Sequence, residues 1–265
     1  MTNKSDFTLT KFRLKERNKL KYFIGNWKMF GDHDSFGIIK KIQQFYVKFR
    51  KSNKKNKVIL CVPNTLISFY KKKLNSKIIL LGAQNCSQHQ NYGAFTGSVS
   101  ALMLRKVGAK FVILGHSENR MEGETPQLIK KKIKSALSEN LNVIFCIGET
   151  ASEKKRGKTL SALYKQLKNS IDKKFDLNKI IFAYEPVWSI GTGKTPHMRY
   201  LLEITMYIKH FFKTKKYINV LYGGSVNSEN IKELFKRAIF MDGFLIGGAS
   251  QSSKKFIDII KNYYK

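Results

Sequence analysis

Residues 180–194 read IIFAYEPVWSIGTGK, and they join an apolar strand to a glycine-rich loop. The first five residues are typical of a fully buried strand, which Pro186 ends. Glu185 therefore stands at the carboxyl end of the strand, directly before a loop in which Gly191 and Gly193 allow the backbone to fold over an anion. Since strand-end carboxylates also pair with backbone or with a cation, this stretch alone leaves a structural role open.

Polar residues follow three more apolar runs in the same way. Asn26 and Lys28 come directly after residues 22–25, and His116 follows residues 111–115. Ser225 follows a run that ends near residue 221. Each of these positions is a candidate for function, because binding and catalytic groups are commonly carried on the loops that follow parallel strands.

Short β-branched and aromatic runs alternate with longer amphipathic segments through most of the chain. The runs lie near residues 22–26, 58–62, 78–82, 111–115, 143–147, 180–184, 218–222 and 242–246. Helical patterns lie between them, near residues 34–50, 64–73, 98–106, 126–139, 152–171, 197–212, 228–236 and 253–263. Eight such units predict an α/β fold, a single-domain (β/α)8 barrel. A doubly wound open sheet is the alternative, but the GNWK sequence at residues 25–28 is not the nucleotide-binding glycine loop that such a sheet needs.

The 265 residues, 42% of them hydrophobic, are sufficient for one large core. We therefore expect a basic N-terminal extension, residues 1–20, followed by one catalytic barrel domain, residues 21–265. No apolar run approaches the roughly 18 residues of a membrane span. The first twenty residues have no apolar segment with a cleavage site, and Asp6 and Glu16 argue against a transit peptide. A cytoplasmic location is the expectation.

Cysteine content and charge restrict the function further. Cys61, Cys86 and Cys146 are odd in number and lie in or beside apolar runs, which predicts reduced, buried thiols and neither a disulfide framework nor a metal site. The net charge of +32 permits a nucleic-acid or membrane partner, but an AT-rich coding bias that enriches lysine is the favoured explanation. Lysines at 40–41, 71–73, 130–132 and 254–255 are predicted on helix surfaces. No nucleic-acid-binding motif accompanies the charge, so no specific nucleic acid and no membrane partner is expected.

Five short motifs occur in one order: NWK at 26–28, GHSE at 115–118, YEPVWSIGTGK at 184–194, YGGSV at 222–226 and GGAS at 247–250. Together they resemble the triosephosphate isomerase family, and the resemblance extends from about Tyr22 to the C-terminus. It implies a TIM barrel that interconverts dihydroxyacetone phosphate and glyceraldehyde 3-phosphate by proton transfer through an enediolate, without a metal or an organic cofactor. Five separated motifs in order are far more specific than a single glycine pattern.

The resemblance implies a role for each candidate residue. Glu185 would be the catalytic base, with Ile190 and Leu245 as an apolar clamp above it. His116 would polarise the substrate carbonyl and move protons between its two oxygens. Lys28 would supply positive charge at the substrate oxygens, and Asn26 would donate a hydrogen bond to the same region.

The phosphate would be held mainly by backbone N–H groups. These belong to Gly191 in the loop after the sixth strand, to Ser225, and to Gly247 and Gly248 after the eighth strand. An isomerase of a related tetrulose or tetrose phosphate is the first alternative, since the same groups would serve it. A basic binding protein on a barrel scaffold is the second, and intact Glu185 and His116 speak against that as its only role.

A symmetric homodimer through the long loop of residues 84–97 is also implied by the resemblance. The glutamate that the family carries after this loop is here Ser98, and the first of its two consecutive arginines is Asn119. Both positions are thus neutral where the family has an ion pair across the interface. The loop after the sixth strand is shortened at its second hinge, residues 194–196, and Phe30 replaces a commoner asparagine.

Overall fold

The fold is a closed barrel of eight parallel strands, seen in a computed structural model that describes residues 20–52 and 55–264. The strands are β1 Lys21–Asn26, β2 Asn56–Cys61, β3 Ile79–Ala83, β4 Phe111–Leu114, β5 Asn142–Ile147, β6 Ile180–Tyr184, β7 Asn219–Tyr222 and β8 Gly243–Ile246. Each strand pairs with the next, and β8 pairs with β1, with Ile24 opposite Leu245. The predicted (β/α)8 barrel is confirmed.

Helices fill the connections between the strands. In the described part of the chain they are α1 Phe36–Ser52, α2 Asn64–Lys73, α3 Ala101–Lys106, α4 Ser117–Met121, α5 Pro126–Ser138, α6 Ala151–Lys155, α7 Thr159–Ser170, α8 Met198–Phe211, α9 Ile231–Arg237 and α10 Ser253–Tyr264. Short 3-10 helices cover Leu177–Lys179, Val187–Ser189 and Gly248–Gln251. The bounds agree with the predicted helices within a few residues at most ends.

One helical prediction is wrong, and one helix was missed. A single helix over 152–171 was expected, but the segment breaks into α6 and α7 at Gly157, whose φ of 68° is left-handed. A glycine in that conformation ends an α-helix, because residues with a Cβ adopt it only at a cost. The five-residue helix α4 was not predicted at all, since it lies inside the GHSE motif and has no amphipathic repeat of its own.

Side chains alternate between two cores along each strand. Inward-facing residues such as Ile24, Ile113 and Ile181 pack together inside the barrel. The residues between them, such as Phe23, Val112 and Phe182, belong to the larger core between the strands and the helices. This alternation follows from the two-residue period of a strand, and it determines which residues at the strand ends face the interior of the barrel.

The predicted burial of the three cysteines is confirmed. Cys61, Cys86 and Cys146 are all free and buried. Burial raises the pKa of each thiol, that of Cys86 to about 12, so all three stay protonated.

The lysine prediction is wrong at Lys132. Its Nζ pairs with the buried Glu124 and donates to Asn85 Oδ1 at 3.0 Å, and only 12% of its side chain is exposed.

No helix in the described ranges combines the length and the apolar character that a bilayer crossing needs. Residues 1–19 of the predicted N-terminal extension lie outside the described residues.

Candidate active site

The inward-facing rows of the barrel continue into the polar residues at the carboxyl ends of the strands. Along β1, Tyr22 and Ile24 point inward, and Asn26 is the next residue of the same row. Along β6, Ile181 and Ala183 point inward, and Glu185 is next. The two-residue period thus carries both side chains to the top of the inner core.

Glu185 and His116 face each other in that layer. His116 Nε2 lies 3.3 Å from Glu185 Oε1, and only 1% of Glu185 is exposed. The other oxygen, Oε2, accepts a hydrogen bond from Ser117 N at 3.3 Å. Despite the short distance, Oε1 has no aligned hydrogen-bond partner in the described residues. A buried carboxylate oxygen without a partner is costly and rare, which points to a group kept available for chemistry.

The orientation of the imidazole is set from its other side. His116 stands at the N-terminus of α4, where its Nδ1 accepts a hydrogen bond from Glu118 N at 3.3 Å. A neutral ring that accepts at Nδ1 carries its proton on Nε2, directed towards the space beside Glu185.

Two glycines leave room for the carboxylate. A Cβ at Gly148 would lie 1.9 Å from the carbonyl oxygen of Glu185. A Cβ at Gly223 would lie 2.7 Å from Glu185 Cγ. Neither position tolerates a side chain without displacing the base. The sequence does not reveal this role of the two glycines, because they lie 37 and 38 residues from Glu185 in the chain and approach it only in the folded barrel.

Cys146 lies beneath the same carboxylate. Burial raises the pKa of its thiol, and the negative charge of Glu185 raises it further. A thiol that stays protonated is a small apolar group with a weak donor, which fits a packing role.

Lys28 occupies a left-handed backbone conformation, with φ of 55°, that is uncommon for a residue with a side chain. The amide side chain of Asn26 holds that turn, since its Oδ1 accepts from Lys28 N at 3.0 Å. The Lys28 ammonium forms an ion pair with Glu118. Strained backbone supported by its surroundings is concentrated at functional sites, and here it brings a cation to the rim of the barrel.

Arg120 and Glu124 form a support that the motifs did not reveal. The Arg120 guanidinium donates to the carbonyl oxygens of Gly115 and Cys146, the latter at 3.0 Å. Glu124 Oε2 accepts from Gly115 N at 3.2 Å. The two side chains therefore hold the ends of β4 and β5, from which His116 and the floor beneath Glu185 are positioned.

A buried carboxylate that follows β5 anchors the start of the loop after β6. Glu149 is fully buried and accepts three side-chain donors, namely Trp188 Nε1 at 2.8 Å, Tyr200 OH at 2.8 Å and Tyr184 OH at 3.0 Å. Trp188 begins this loop, and the Lys154 ammonium lies 3.1 Å from the centroid of its ring. The start of the loop is thereby fixed, whereas Gly191 and Gly193 further along are exposed, with φ of 70° and 74°.

All eight residues predicted for the site line one cavity of about 370 Å³. They are Asn26, Lys28, His116, Glu185, Gly191, Ser225, Gly247 and Gly248. Ile190 and Leu245 also line it, on the apolar side. Lys255, from the first turn of α10, was not predicted and lines the cavity as a second cation. This size suits a small metabolite.

The segments after β7 and β8 form one end of the cavity and contribute Ser225, Gly247 and Gly248 to it. Gly247 and Gly248 open the 3-10 helix Gly248–Gln251, whose first N–H groups have no carbonyl partner within the helix. A Cβ at Gly248 would meet no atom within 4 Å, so its backbone is open to a ligand. This part of the cavity can receive an anion through N–H groups and Lys255.

Comparison with known proteins decides the family. The triosephosphate isomerase family model matches residues 21–263. Triosephosphate isomerase of Mycoplasma mobile is 40% identical over 244 residues, which cover 91% of this chain and 99% of the relative. The Bartonella henselae enzyme is 37% identical, with 92% and 97% covered. Its crystal structure has a TM-score of 0.82, at 35% identity, and 92% and 99% of the two chains are covered.

The chain belongs to the triosephosphate isomerase family. It is therefore an intramolecular aldose–ketose isomerase, the class to which the resemblance of its motifs had pointed. In residues 20–52 and 55–264 no three His, Cys, Asp or Glu side chains are grouped as a metal site requires, and independence from metal stays a prediction.

Proposed function

We propose that this triosephosphate isomerase family member converts dihydroxyacetone phosphate to glyceraldehyde 3-phosphate, and back, with Glu185 as the base and His116 as the proton donor. The observation that carries this proposal is the position of Glu185 Oε1. It is buried, without an aligned partner in the described residues, and 3.3 Å from His116 Nε2. An oxygen so placed is free to accept a carbon-bound proton.

The proposed reaction moves protons only. Glu185 takes the proton from the carbon next to the substrate carbonyl, the electron pair of the broken C–H bond forms a carbon–carbon double bond, and the π pair of the carbonyl moves to its oxygen, which gives an enediolate. His116 Nε2–H donates to that oxygen and then accepts the proton of the neighbouring hydroxyl. Return of the Glu185 proton to the other carbon completes the isomerisation, and no oxidant or reductant is needed.

Lys28 and Asn26 support the charge of the enediolate. The Lys28 ammonium is preorganised at the cavity, which makes its attraction for a developing oxyanion effective. Because the ammonium group already pairs with Glu118, substrate oxygens that bind to it would either share it with that carboxylate or displace the carboxylate. Asn26 has a double role, since the oxygen that holds the Lys28 turn leaves its amide nitrogen for the substrate region.

The substrate phosphate is assigned to the far end of the cavity. The N–H groups of Gly191, Ser225, Gly247 and Gly248 would donate to it, and the ammonium groups of Lys28 and Lys255 add attraction for the dianion. Movement of the exposed loop around Gly191 over the phosphate would bring Ile190 closer to Leu245. This exclusion of water would protect the enediolate from loss of phosphate.

A homodimer belongs to the proposal. A second cavity of about 590 Å³ adjoins the first, shares Asn26, Lys28 and His116 with it, and includes the exposed Met29 and Phe30.

The loop of residues 84–97 exposes Tyr92 and Phe95, which supplies a projection of matching character. Two copies related by a twofold axis could each place this loop in the other's second cavity. Such exchange would bury four exposed apolar side chains per copy and close one wall of each site.

The barrel, residues 21–265, is proposed as the complete catalytic domain and residues 1–20 as a dispensable extension. Removal of residues 1–18 should leave kcat and the melting temperature nearly unchanged, because the first strand begins at Lys21. A loss of folded protein would make the extension structural. A cytoplasmic location accompanies the proposal, since three free, buried thiols suit a reducing compartment.

A coupled assay on both triose phosphates, with purified full-length protein, tests the function. The expected result is turnover in both directions, unaffected by a chelator. The matching ketotetrose phosphate should be turned over far more slowly. A preference for the four-carbon substrate would overturn the assignment, as would activity retained in Glu185→Gln.

A further inference from the structure

A further cavity, chemically different from the two near the active site, lies at the opposite end of the barrel. It has a volume of about 580 Å³ and is formed by the segments before β6 and before β7 together with the last turns of α7. These segments lead into the amino ends of the strands, whereas the catalytic groups follow the carboxyl ends. We call this cavity the basal pocket.

Aromatic side chains form the walls of the basal pocket. Phe175, Phe211 and Phe212 are half-buried and pack on the main core, and Tyr164 is 44% exposed at the edge. The Tyr164 and Phe211 rings meet edge to face at 5.9 Å, and Phe211 and Phe212 do so at 5.0 Å. Such rings can receive a further flat ring by stacking or by edge contact.

Lysines form the rim. Lys168, Lys173, Lys213 and Lys216 all line the pocket. Lys216 pairs with Asp176 at 3.4 Å. In contrast, Lys168, Lys173 and Lys213 have no ion pair with any described residue.

The only acidic side chain that lines the pocket is Asp172, within the described residues, and its charge is already balanced. Asp172 pairs with Lys130 at 2.8 Å, from the neighbouring helix α5. The rim therefore carries positive charge that no carboxylate of the described chain offsets, next to an aromatic interior. Charge and shape together favour one ligand chemistry, since an anion satisfies the lysines and a flat apolar body fills the space between the rings.

We propose that the basal pocket binds an amphiphilic aromatic anion, a flat ring system of about two fused rings that carries a sulfonate, carboxylate or phosphate group. The ring lies between Tyr164 and the phenylalanines, and the anionic group faces Lys168 and Lys213. Triose phosphates have no aromatic body, so the ligand of this pocket is not the substrate of the other end.

Calorimetric titration of 2-naphthalenesulfonate into the full-length protein tests the proposal. We expect one site per chain, with affinity that falls as salt is added, because part of the attraction is between exposed charges. Tyr164→Ala should weaken binding roughly fivefold. Lys168→Met combined with Lys213→Met should weaken it roughly tenfold.

Three controls make the test specific. Lys174→Met removes an exposed lysine of the same segment that does not line the pocket, and it should leave binding unchanged. The neutral 2-naphthamide should bind several-fold more weakly than the sulfonate. Saturating dihydroxyacetone phosphate should not displace the probe, and every variant should keep its kcat/KM, which also shows that it is folded.

The opposite results would overturn the proposal. They are absence of binding, equal affinity for the neutral amide, an equal loss in Lys174→Met, or displacement by the triose phosphate. The third of these would assign the binding to the basic surface in general.

Discussion

Two buried carboxylates, Glu185 and Asp242, stand at opposite ends of the barrel, and each is 1% exposed. Asp242 directly precedes β8, and both of its oxygens are satisfied. Tyr217 OH donates to Oδ1 at 2.6 Å, Val220 N donates to Oδ2 at 2.8 Å, and Lys209 Nζ lies 3.1 Å from Oδ2. Glu185 directly follows β6, and its Oε1 has no aligned partner in the described residues.

The difference shows how one fold divides stability from chemistry. A buried charge with a full set of donors holds together the segments that supply them, but it has no oxygen left for a reaction. A buried charge with a free oxygen adds little to stability and remains reactive. The amino end of the barrel contains the first kind, and the carboxyl end contains the second.

Glu185→Gln provides the strongest test of this contrast. An amide cannot take a proton from carbon, so kcat should fall by about 10²–10⁴-fold. The melting temperature should stay the same or rise slightly, since the change removes a buried charge that lacks a full set of partners. Steady-state kinetics and thermal unfolding measure the two effects. The control Glu203→Gln changes an exposed glutamate of α8 and should behave as wild type.

Asp242→Asn should give the reverse pattern. The amide group would place donors against Val220 N–H and the Lys209 ammonium, so we expect a loss of about 3 kcal/mol in unfolding free energy. The kcat of the folded protein should not change, because the residue lies at the far end of the barrel. Denaturant unfolding measures the loss. Adding Lys209→Met should recover part of it, since the second change removes the unpaired cation, and strict additivity would contradict the pairing.

The exposed ion pair of Lys28 and Glu118 extends the comparison to the carboxyl end. Its two side chains are 30% and 54% exposed, so Glu118→Gln should hardly change stability. If Glu118 positions the Lys28 ammonium, kcat/KM should fall by up to about 100-fold. Steady-state kinetics distinguishes this positioning role from simple competition between Glu118 and the substrate for the Lys28 ammonium. If Glu118 only competed, Glu118→Gln would lower KM and leave kcat unchanged. Glu139→Gln, which breaks the exposed pair with Arg105, is the matched control.

The parts of this molecule that sequence predicts are local in the chain. Each strand is one apolar run, and most of the predicted site residues come within a few residues of a strand end, so the barrel and the eight predicted residues of its cavity follow from short segments. The position of Glu185 beneath the cavity follows from the two-residue period of β6.

The parts that escape prediction depend on barrel closure. Asp242 meets Lys209 and Tyr217 only because β7 and β8 are neighbours, and nothing near residue 242 signals those partners. Arg120 reaches the carbonyl of Cys146, 26 residues away, across the β4 to β5 pairing. The basal pocket likewise joins residues 164–177 to residues 211–216, and no motif marks either segment.

Ser98 and Asn119 form a proposed pair in which neither member carries a charge. Ser98 is exposed directly after the loop of residues 84–97, and Asn119 lines the second cavity beside the active site. In the proposed homodimer these positions would face each other across the interface. Because a lone buried charge costs more than a neutral pair, loss of both charges avoids that penalty.

Ser98→Glu alone should therefore weaken the dimer, and adding Asn119→Arg should restore it, with a coupling energy of about 1 kcal/mol. Sedimentation velocity on the wild type, the two single variants and the double variant measures the coupling. Since the restored pair is charged, its contribution should shrink as salt is added, while the wild-type dimer should respond less. Purely additive effects would show that the two positions do not meet, and a monomeric wild type would remove the interface itself.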